Sequence, residues 1–251
     1  MQLDNLSKFK TWKNTAERYV CYIDIMGLKS MLLSKTHSEM YDLMLQLSSH
    51  LEETQEIADD PIIFKPRTKV AKIAMMTYSD SIMIYSRDNS NISLKRFRIA
   101  IHYFVGLLFN SNIPFKGAIA FGTITLDLKN SIYFGQPLVD AYLLAEELCF
   151  YGIVVHASAE SNPKYIKHPS LIEYDCPFKK GIGNHFTVTP INYYMGTSSE
   201  SINKKKRSAI YSLRNMTSGD LRKYIDNTLK HFDYTYEKIK KVNPDFTDNE
   251  I

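Results

Sequence analysis

The sequence predicts an α+β fold of the ferredoxin-like, split βαβ kind with a C-terminal helical tail. Three observations point there. Short β-branched and aromatic runs alternate with longer stretches of helical period, in the order β-α-α-β-β-α-β-α-β. A tight polar turn in the middle of that order marks an antiparallel hairpin between two crossover helices. Over residues 208–241 the pattern is mostly helical. The plan implies one mixed sheet with helices packed on one face and with the first and second core strands side by side.

Each element has a local reason. Residues 18–25 (RYVCYIDI) form a buried-strand run that stops at Gly27. Apolar residues then return at helical spacing from Leu28 to about Thr54, with Ser38 as the expected cap between two helices. A polar stretch with Pro61 and Pro66 reads as a loop. Residues 69–78 and 81–86 flank Ser79-Asp80 as the two arms of the hairpin. Residues 92–109 carry a helical apolar stripe, and 115–125 (FKGAIAFGTIT) form a strand whose Gly117 and Gly122 permit close backbone approach. An amphipathic helix is expected over 136–150, a buried strand over 152–156, and shorter strands near 171–174 and 185–189. A Ser-rich linker around 197–201 leads into the tail. The expected division is a first domain over 1–195 and a helical extension over 196–251.

Composition narrows the function classes. Of the 251 residues, 44% are hydrophobic and 23% charged, which excludes a disordered chain, a collagen-like repeat and a coiled coil. No apolar run reaches the ~20 residues needed to span a bilayer, and the N-terminal stretch lacks a signal-peptide core, so a cytoplasmic protein is expected. Three scattered cysteines form no CxxC pair, and the seven histidines show no HxxxH or HxH spacing, so zinc chemistry has no support. The net charge of +4 resides in the tail, where eleven basic residues meet seven acidic ones after residue 200, and the first 200 residues balance to zero. That distribution does not suit a nucleic-acid-binding body. The basic run Lys204-Lys205-Lys206-Arg207 reads as a solvated loop before a helix, with a phosphate or membrane-surface patch as the alternative.

Two aspartates carry the chemistry. Asp24 ends the first strand just before a glycine turn and a helix (YIDIMGLKSMLL), and Asp80 sits at the hairpin tip (TYSDSIMIYS). Taken singly, Asp24 reads equally as a helix cap and Asp80 as a turn former. Taken together, in the predicted strand order, they converge at one edge of the sheet. Two carboxylates at one point repel unless a cation joins them, and oxygen ligands suit Mg²⁺ or Mn²⁺. The turn Ile25-Met26-Gly27-Leu28 opens a helix whose free N–H groups and positive dipole end favour an anion. Metal carboxylates beside such a helix start describe a nucleoside triphosphate site. There is no GxxxxGK[ST], so the site is not a P-loop.

The segments YIDIMGL, TYSDSIMI, FKGAIAFG and FGQPLVDAYLLAEEL, in that order, resemble the catalytic domain of class III nucleotidyl cyclases over about residues 18–190. Among these the resemblance is closer to the bacterial pyrimidine cyclases of Pycsar antiphage defence. It implies a nucleotidyl cyclase fold in which Asp24, Asp80 and the Ile25 carbonyl bind two divalent ions, Mn²⁺ or Mg²⁺. It implies that the backbone N–H groups of Met26, Gly27 and Leu28 hold the triphosphate. The implied activity is a phosphorus–oxygen lyase that makes a 3′,5′-cyclic monophosphate, cUMP or cCMP, and pyrophosphate as an antiviral signal. It also implies a head-to-tail homodimer with its active sites at the subunit interface, and a separately encoded effector that senses the product. Neither nucleic acid nor a membrane is required.

Departures from the purine-cyclase pattern are informative. The base-reading Lys of those enzymes falls on Ala74, their Asn and Arg on Val139 and Leu143, and their purine-reading Asp near Ile132. A purine reader is therefore disfavoured. Candidate replacements are Lys179 and Lys180 (CPFKKG) for triphosphate, and Lys72, Lys116 and Tyr142 for base or ribose. A solvated turn, strand-flanking charges and a core tyrosine explain the same residues. The rival functions are a catalytically inactive cyclase-homology domain that binds a nucleotide or partner, and a divergent purine cyclase.

Overall fold

The computed structural model describes residues 9, 11–60, 73–190, 199–214 and 217–242. Its strands are β1 (Thr15–Ile25), β2 (Ile73–Tyr78), β3 (Ser81–Ser86), β4 (Phe115–Asp127), β5 (Ile132–Phe134), β6 (Gly152–Val155), β7 (Leu171–Phe178) and β8 (Gly181–Val188). Its helices are α1 (Leu28–Ser34), α2 (His37–Asp59), α3 (Asn91–Asn110), α4 (Gln136–Glu147), α5 (Ala157–Glu160), α6 (Pro163–Ile166), α7 (Ser199–Arg214) and α8 (Gly219–Val242). The strands form one sheet in the order β2-β3-β1-β4-β6-β8-β7, with β5 paired to β4. The central four strands, β2-β3-β1-β4, are the split βαβ arrangement that the sequence predicts. The neighbour of β1 is β3, however, rather than β2. Asp80 therefore reaches Asp24 from the turn that begins β3, since Ser81 pairs with Asp24.

The sheet is covered on both faces, where the sequence reading expects helices on one. Along β1, Tyr19, Cys21, Ile23 and Ile25 enter the core under α2 and α3. Val20 and Tyr22, which alternate with them, face a second core built with Ala141 and Ala145 of α4. Strand residues alternate between faces, so the unbroken apolar run of β1 is what two-sided burial requires. Ala118 and Ala120 on β4 meet those helix alanines, and the small side chains let α4 lie close to the sheet. The tail joins the first core through Ile210 of α7 and Ile225, Leu229, Phe232 and Ile239 of α8.

Several local expectations change. The cap of α2 is Thr36, whose hydroxyl accepts from the Glu39 N–H while the Glu39 carboxylate accepts from the Thr36 N–H, so Ser38 is already helical. Helix α4 stops at Glu147, because Leu148 bridges to Phe178 of β7. Strand β5 was not expected, and β7 and β8 form one longer hairpin than the two short segments foreseen. The basic run is part of α7. Lys206 is buried with its ammonium donating to the Pro190 carbonyl, and Arg207 pairs with Asp233 of α8. Burial holds the Lys206 ammonium down at about 8. The loop at 61–72, the start of the second expected strand and residues 197–198 of the expected linker lie outside the described residues, while residues 199–201 of that linker already belong to α7.

The β1–β4 ladder runs for the whole of β1, from Thr15↔Thr125 to Ile25↔Phe115. Within it, a Cβ on Gly117 would sit 2.6 Å from the Tyr22 carbonyl oxygen, so no side chain fits without parting the strands. Gly117→Ala is expected to destabilise the fold by about 2–3 kcal/mol, read as a lower urea midpoint at unchanged slope.

Candidate functional site

The site lies on the α4 side of the sheet, at the end where β1 stops. Register puts three residues of adjacent strands abreast there, Ser81 of β3, Asp24 of β1 and Lys116 of β4. The Ile25 N–H donates to the Asp80 carbonyl over 2.8 Å, which ties the hairpin tip to the end of β1 and brings the two aspartates together. Left-handed Ser79, at φ 56°, makes that turn tight.

A third carboxylate completes the group. Glu146, in the last turn of α4, accepts a hydrogen bond from the Lys116 ammonium at 2.7 Å, while Asp24 stands 3.8 Å from the same nitrogen. Lys179, in the β7–β8 turn, approaches the other Glu146 oxygen at 3.9 Å. Three carboxylates thus face two ammonium groups, which leaves a local excess of negative charge. Burial raises the Asp24 carboxyl above its ordinary range, Lys116 opposes that, and Asp80 and Glu146 raise it further. Tyr22 reports the same surroundings. Its hydroxyl lies 3.1 Å from Ser81 Oγ, and its pKa is raised by burial first and then by the three carboxylates.

Next to this cluster the chain turns into α1. Gly27 caps the helix in the left-handed region at φ 81°, which other residues adopt only with strain. The first intrahelical bond runs from the Met31 N–H to the Gly27 carbonyl, so the N–H groups of residues 28–30 precede the ladder. The Met26 N–H, in contrast, donates to the Pro114 carbonyl at 2.9 Å. An anion at this turn would meet Leu28 and the two residues after it before Met26.

Among the sequence-selected residues, Asp24, Asp80, Lys116 and Lys179 come together, and Ile25 presents only backbone there because its side chain is buried. Tyr142 of α4 is half exposed and meets Tyr22 edge to face at 5.4 Å, so it belongs to the rim of the site rather than to the core. Lys180 is exposed at the hairpin turn, and Lys72 lies outside the described residues. Of the positions compared with purine cyclases, Ala74 is buried on β2, while Ile132, Val139 and Leu143 are exposed. Glu146, Tyr22 and Ser81 were not singled out from sequence. Glu146 had a signal in its spacing, since it stands four residues after Tyr142 and shares its helix face.

The donor set suits a hard divalent ion: two carboxylates and a backbone carbonyl, in surroundings with surplus negative charge. Among the described residues no three His, Cys, Asp or Glu side chains form a metal cage. A divalent ion held by Asp24 and Asp80 would draw its remaining oxygens from backbone, water or phosphate.

Comparison of the coordinates with solved structures identifies the architecture. The chain is similar to the catalytic core of a rhodopsin-guanylyl cyclase with converted specificity, solved in complex with ATPαS, at TM-score 0.52 and 11% identity, over 70% of this chain and 97% of that one. The fold is that of a nucleotidyl cyclase catalytic domain. A bacterial light-regulated adenylyl cyclase aligns at TM-score 0.47 and 11% identity, over 80% of this chain and 59% of that one. The guanylyl cyclase Cya2 aligns at TM-score 0.44 and 10% identity, over 75% of this chain and 99% of that one. No family model and no curated protein sequence matches the chain. Among the described residues no helix is long and apolar enough to cross a membrane.

The raised Asp24 pKa has a consequence for stability. The native chain keeps this proton to a higher pH than the unfolded chain does, so Asp24 lowers stability as pH rises through that window. Asp24→Asn carries no charge and leaves Lys116 its bond to Glu146. At pH 7 the variant is expected to melt about 1–2 °C above the parent, with the gap closing towards pH 4, as scanning calorimetry would show.

Proposed function

We propose that this protein is a metal-dependent pyrimidine nucleotide cyclase, converting UTP or CTP into the 3′,5′-cyclic monophosphate and pyrophosphate. The observation that carries the proposal is the meeting of Asp24 and Asp80 at the end of β1, beside the start of α1, within a nucleotidyl cyclase fold.

In this reading Asp24, Asp80 and the Ile25 carbonyl hold divalent ions. Such ions, when bound, acidify the ribose 3′-hydroxyl and offset charge on the triphosphate. The N–H groups at the start of α1 and the positive end of its dipole orient the phosphate chain. Lys116, held by Glu146, and Lys179 at the hairpin turn supply positive charge where the site meets that chain. The 3′-hydroxyl gives its proton to solvent water, its oxygen forms a bond to the α-phosphorus as the bond from that phosphorus to the oxygen bridging to the β-phosphate breaks, and pyrophosphate leaves with that oxygen and the electron pair. Tyr142, braced by Tyr22, offers an aromatic face for a base. Ala74 supplies no base-reading ammonium on β2, which supports a pyrimidine over a purine.

The working unit is a homodimer. Phe134 and Leu143 are 60% and 56% exposed, and with Ile132, Val139 and Tyr142 they are exposed apolar residues strung along β5 and α4, from the far end of β4 to the turn of α4 that precedes Glu146. A row of this kind marks an interaction surface. The product acts as a diffusible alarm signal, read by a separate cyclic-nucleotide-sensing effector.

Purified protein incubated separately with ATP, GTP, CTP and UTP, in Mn²⁺ and then Mg²⁺, is expected to yield a cyclic pyrimidine monophosphate by chromatography and mass. Asp24→Asn and Asp80→Asn should each lower that turnover by at least about 10³-fold while remaining folded. A cyclic purine product would transfer the proposal to a divergent purine cyclase. Metal-dependent triphosphate binding without turnover would leave a nucleotide-binding domain that has lost the reaction. Separately, Phe134→Asp with Leu143→Asp is expected to convert the dimer to a monomer on sedimentation and to abolish turnover.

A further inference from the structure

The tail helix α8 reaches the candidate site through the backbone. Glu146 stands one residue before the end of α4, and only residues 148–151 separate that helix from β6. The first residue of β6, Gly152, is the parallel register partner of Lys116. This short link therefore joins the helix that carries Glu146 to the strand beside Lys116. Its conformation sets whether carboxylate and ammonium meet at 2.7 Å.

A link outside helix and sheet must find other partners for its backbone groups. On one side these come from the β7–β8 hairpin. The Cys149 N–H donates to the Pro177 carbonyl at 2.9 Å, and the Lys179 N–H donates to the Glu147 carbonyl at 2.8 Å. On the other side stands α8. The Asn227 amide donates to the Cys149 carbonyl at 2.9 Å, and the Tyr151 N–H donates to the Thr228 hydroxyl at 2.8 Å. The Thr228 proton goes to the Tyr224 carbonyl at 2.7 Å, which leaves the hydroxyl oxygen free to accept from Tyr151. Tyr224 also stacks on Tyr151, and His231 packs on Phe150 with ring centroids 4.8 Å apart.

Tyr224, Asn227, Thr228 and His231 stand at positions i, i+3, i+4 and i+7, so one face of α8 grips three successive residues of the link. The helix is itself fastened to the sheet, because His231 Nε2 lies 2.8 Å from Thr187 Oγ1 of β8. Burial chiefly, then the Cys149 thiol and then Glu146, raise the Tyr224 phenol, which places the start of α8 within the field of the site carboxylate.

We infer, on the reading of Asp24 as a ligand for a divalent ion, that Asn227 and Thr228 are positioning residues that act through residues 149–151 on Glu146. With the link gripped, Glu146 keeps Lys116 at 2.7 Å, and Asp24, 3.8 Å from the same nitrogen, stays open to the ion. With the grip loosened, the end of α4 shifts, Lys116 turns to Asp24, and the ion competes with an ammonium for that carboxylate. Helix α8 thus adds no side chain to the cluster yet sets its charge balance.

The test uses the full chain. Thr228→Val keeps the side-chain shape and removes the acceptor of the Tyr151 N–H, whereas Thr228→Ser retains it. Asn227→Ala removes the other bond at a less buried position, and decides the matter should Thr228→Val not fold. Ile239→Ala is the control, since Ile239 packs α8 into the first core about three turns further along. Metal-free NMR of isotope-labelled lysine reads the Lys116 ammonium, whose signal is identified by its loss in Lys116→Arg. In Thr228→Val that signal is expected to move and its protons to exchange with water at least about tenfold faster, with Thr228→Ser matching the parent. The manganese concentration for half-maximal turnover is expected to rise at least about fivefold at little-changed kcat, a split that mere loss of folded protein does not produce. An unmoved Lys116 signal in Thr228→Val and Asn227→Ala, the same change in Ile239→Ala, no recovery in Thr228→Ser, or an unaltered manganese requirement would each overturn the inference. A parent chain that makes no cyclic product would overturn the cyclase reading instead, and the lysine signals would still decide the positioning role.

Discussion

The burial of Lys116 is the constraint on which the candidate site depends. An ammonium on a strand that is otherwise apolar must be neutralised in place, because leaving it alone in the interior costs several kcal/mol, of order 3–5. Glu146 does this at 2.7 Å, and to do so the last turn of α4 must lie over the start of β4. That fixes the rotation of the helix. Tyr142, one turn earlier on the same face, is thereby directed to Tyr22, and Lys179 finds the second oxygen of Glu146. With Lys116 held mainly by Glu146, Asp24 retains a carboxylate only loosely paired. One buried charge thus positions a strand, a helix and a hairpin turn around the two aspartates.

Much of this was legible in the chain. The strand and helix order follows from periodicity, and Asp24 and Asp80 stand out because each interrupts an apolar strand where no core residue is needed. Glu146 did not stand out, being one of two successive glutamates at the end of an amphipathic helix. Its role depends on which helix face meets the sheet, and that face is set by packing between segments far apart in sequence. The expectation of helices on one face failed for a reason visible in β1. RYVCYIDI has no polar alternation, so a sheet built on it cannot leave one side to water. The basic run at 204–207 misled in the opposite sense. Composition suggests a solvated loop, yet helical periodicity turns Lys206 inward while Arg207 faces α8.

The two poles of the sheet differ in charge for topological reasons. At one pole β1 ends, the hairpin turns and α1 begins, which assembles carboxylates opposite a helix start. At the other, the starts of α3 and α6 converge with Arg98 and Lys167 between them. Helices α7 and α8 take part in neither cluster. Their apolar stripe, Ile210 with Ile225, Leu229, Phe232 and Ile239, closes the core beside α3.

The β1–β4 ladder also bears on how such a chain can change over evolutionary time. Side chains alternate with a period of two, so a single-residue insertion or deletion ahead of Asp24 in β1 would reverse every residue between the change and the strand end. Asp24 would turn towards α3, and Ile23 or Ile25 would come to face Glu146. Substitution along these strands is compatible with the fold, since a catalytic core of similar fold shares only 11% identity with this chain. A change in length there needs a bulge to restore the facing of Asp24, whereas the connections between strands take up added residues without reversing any side chain.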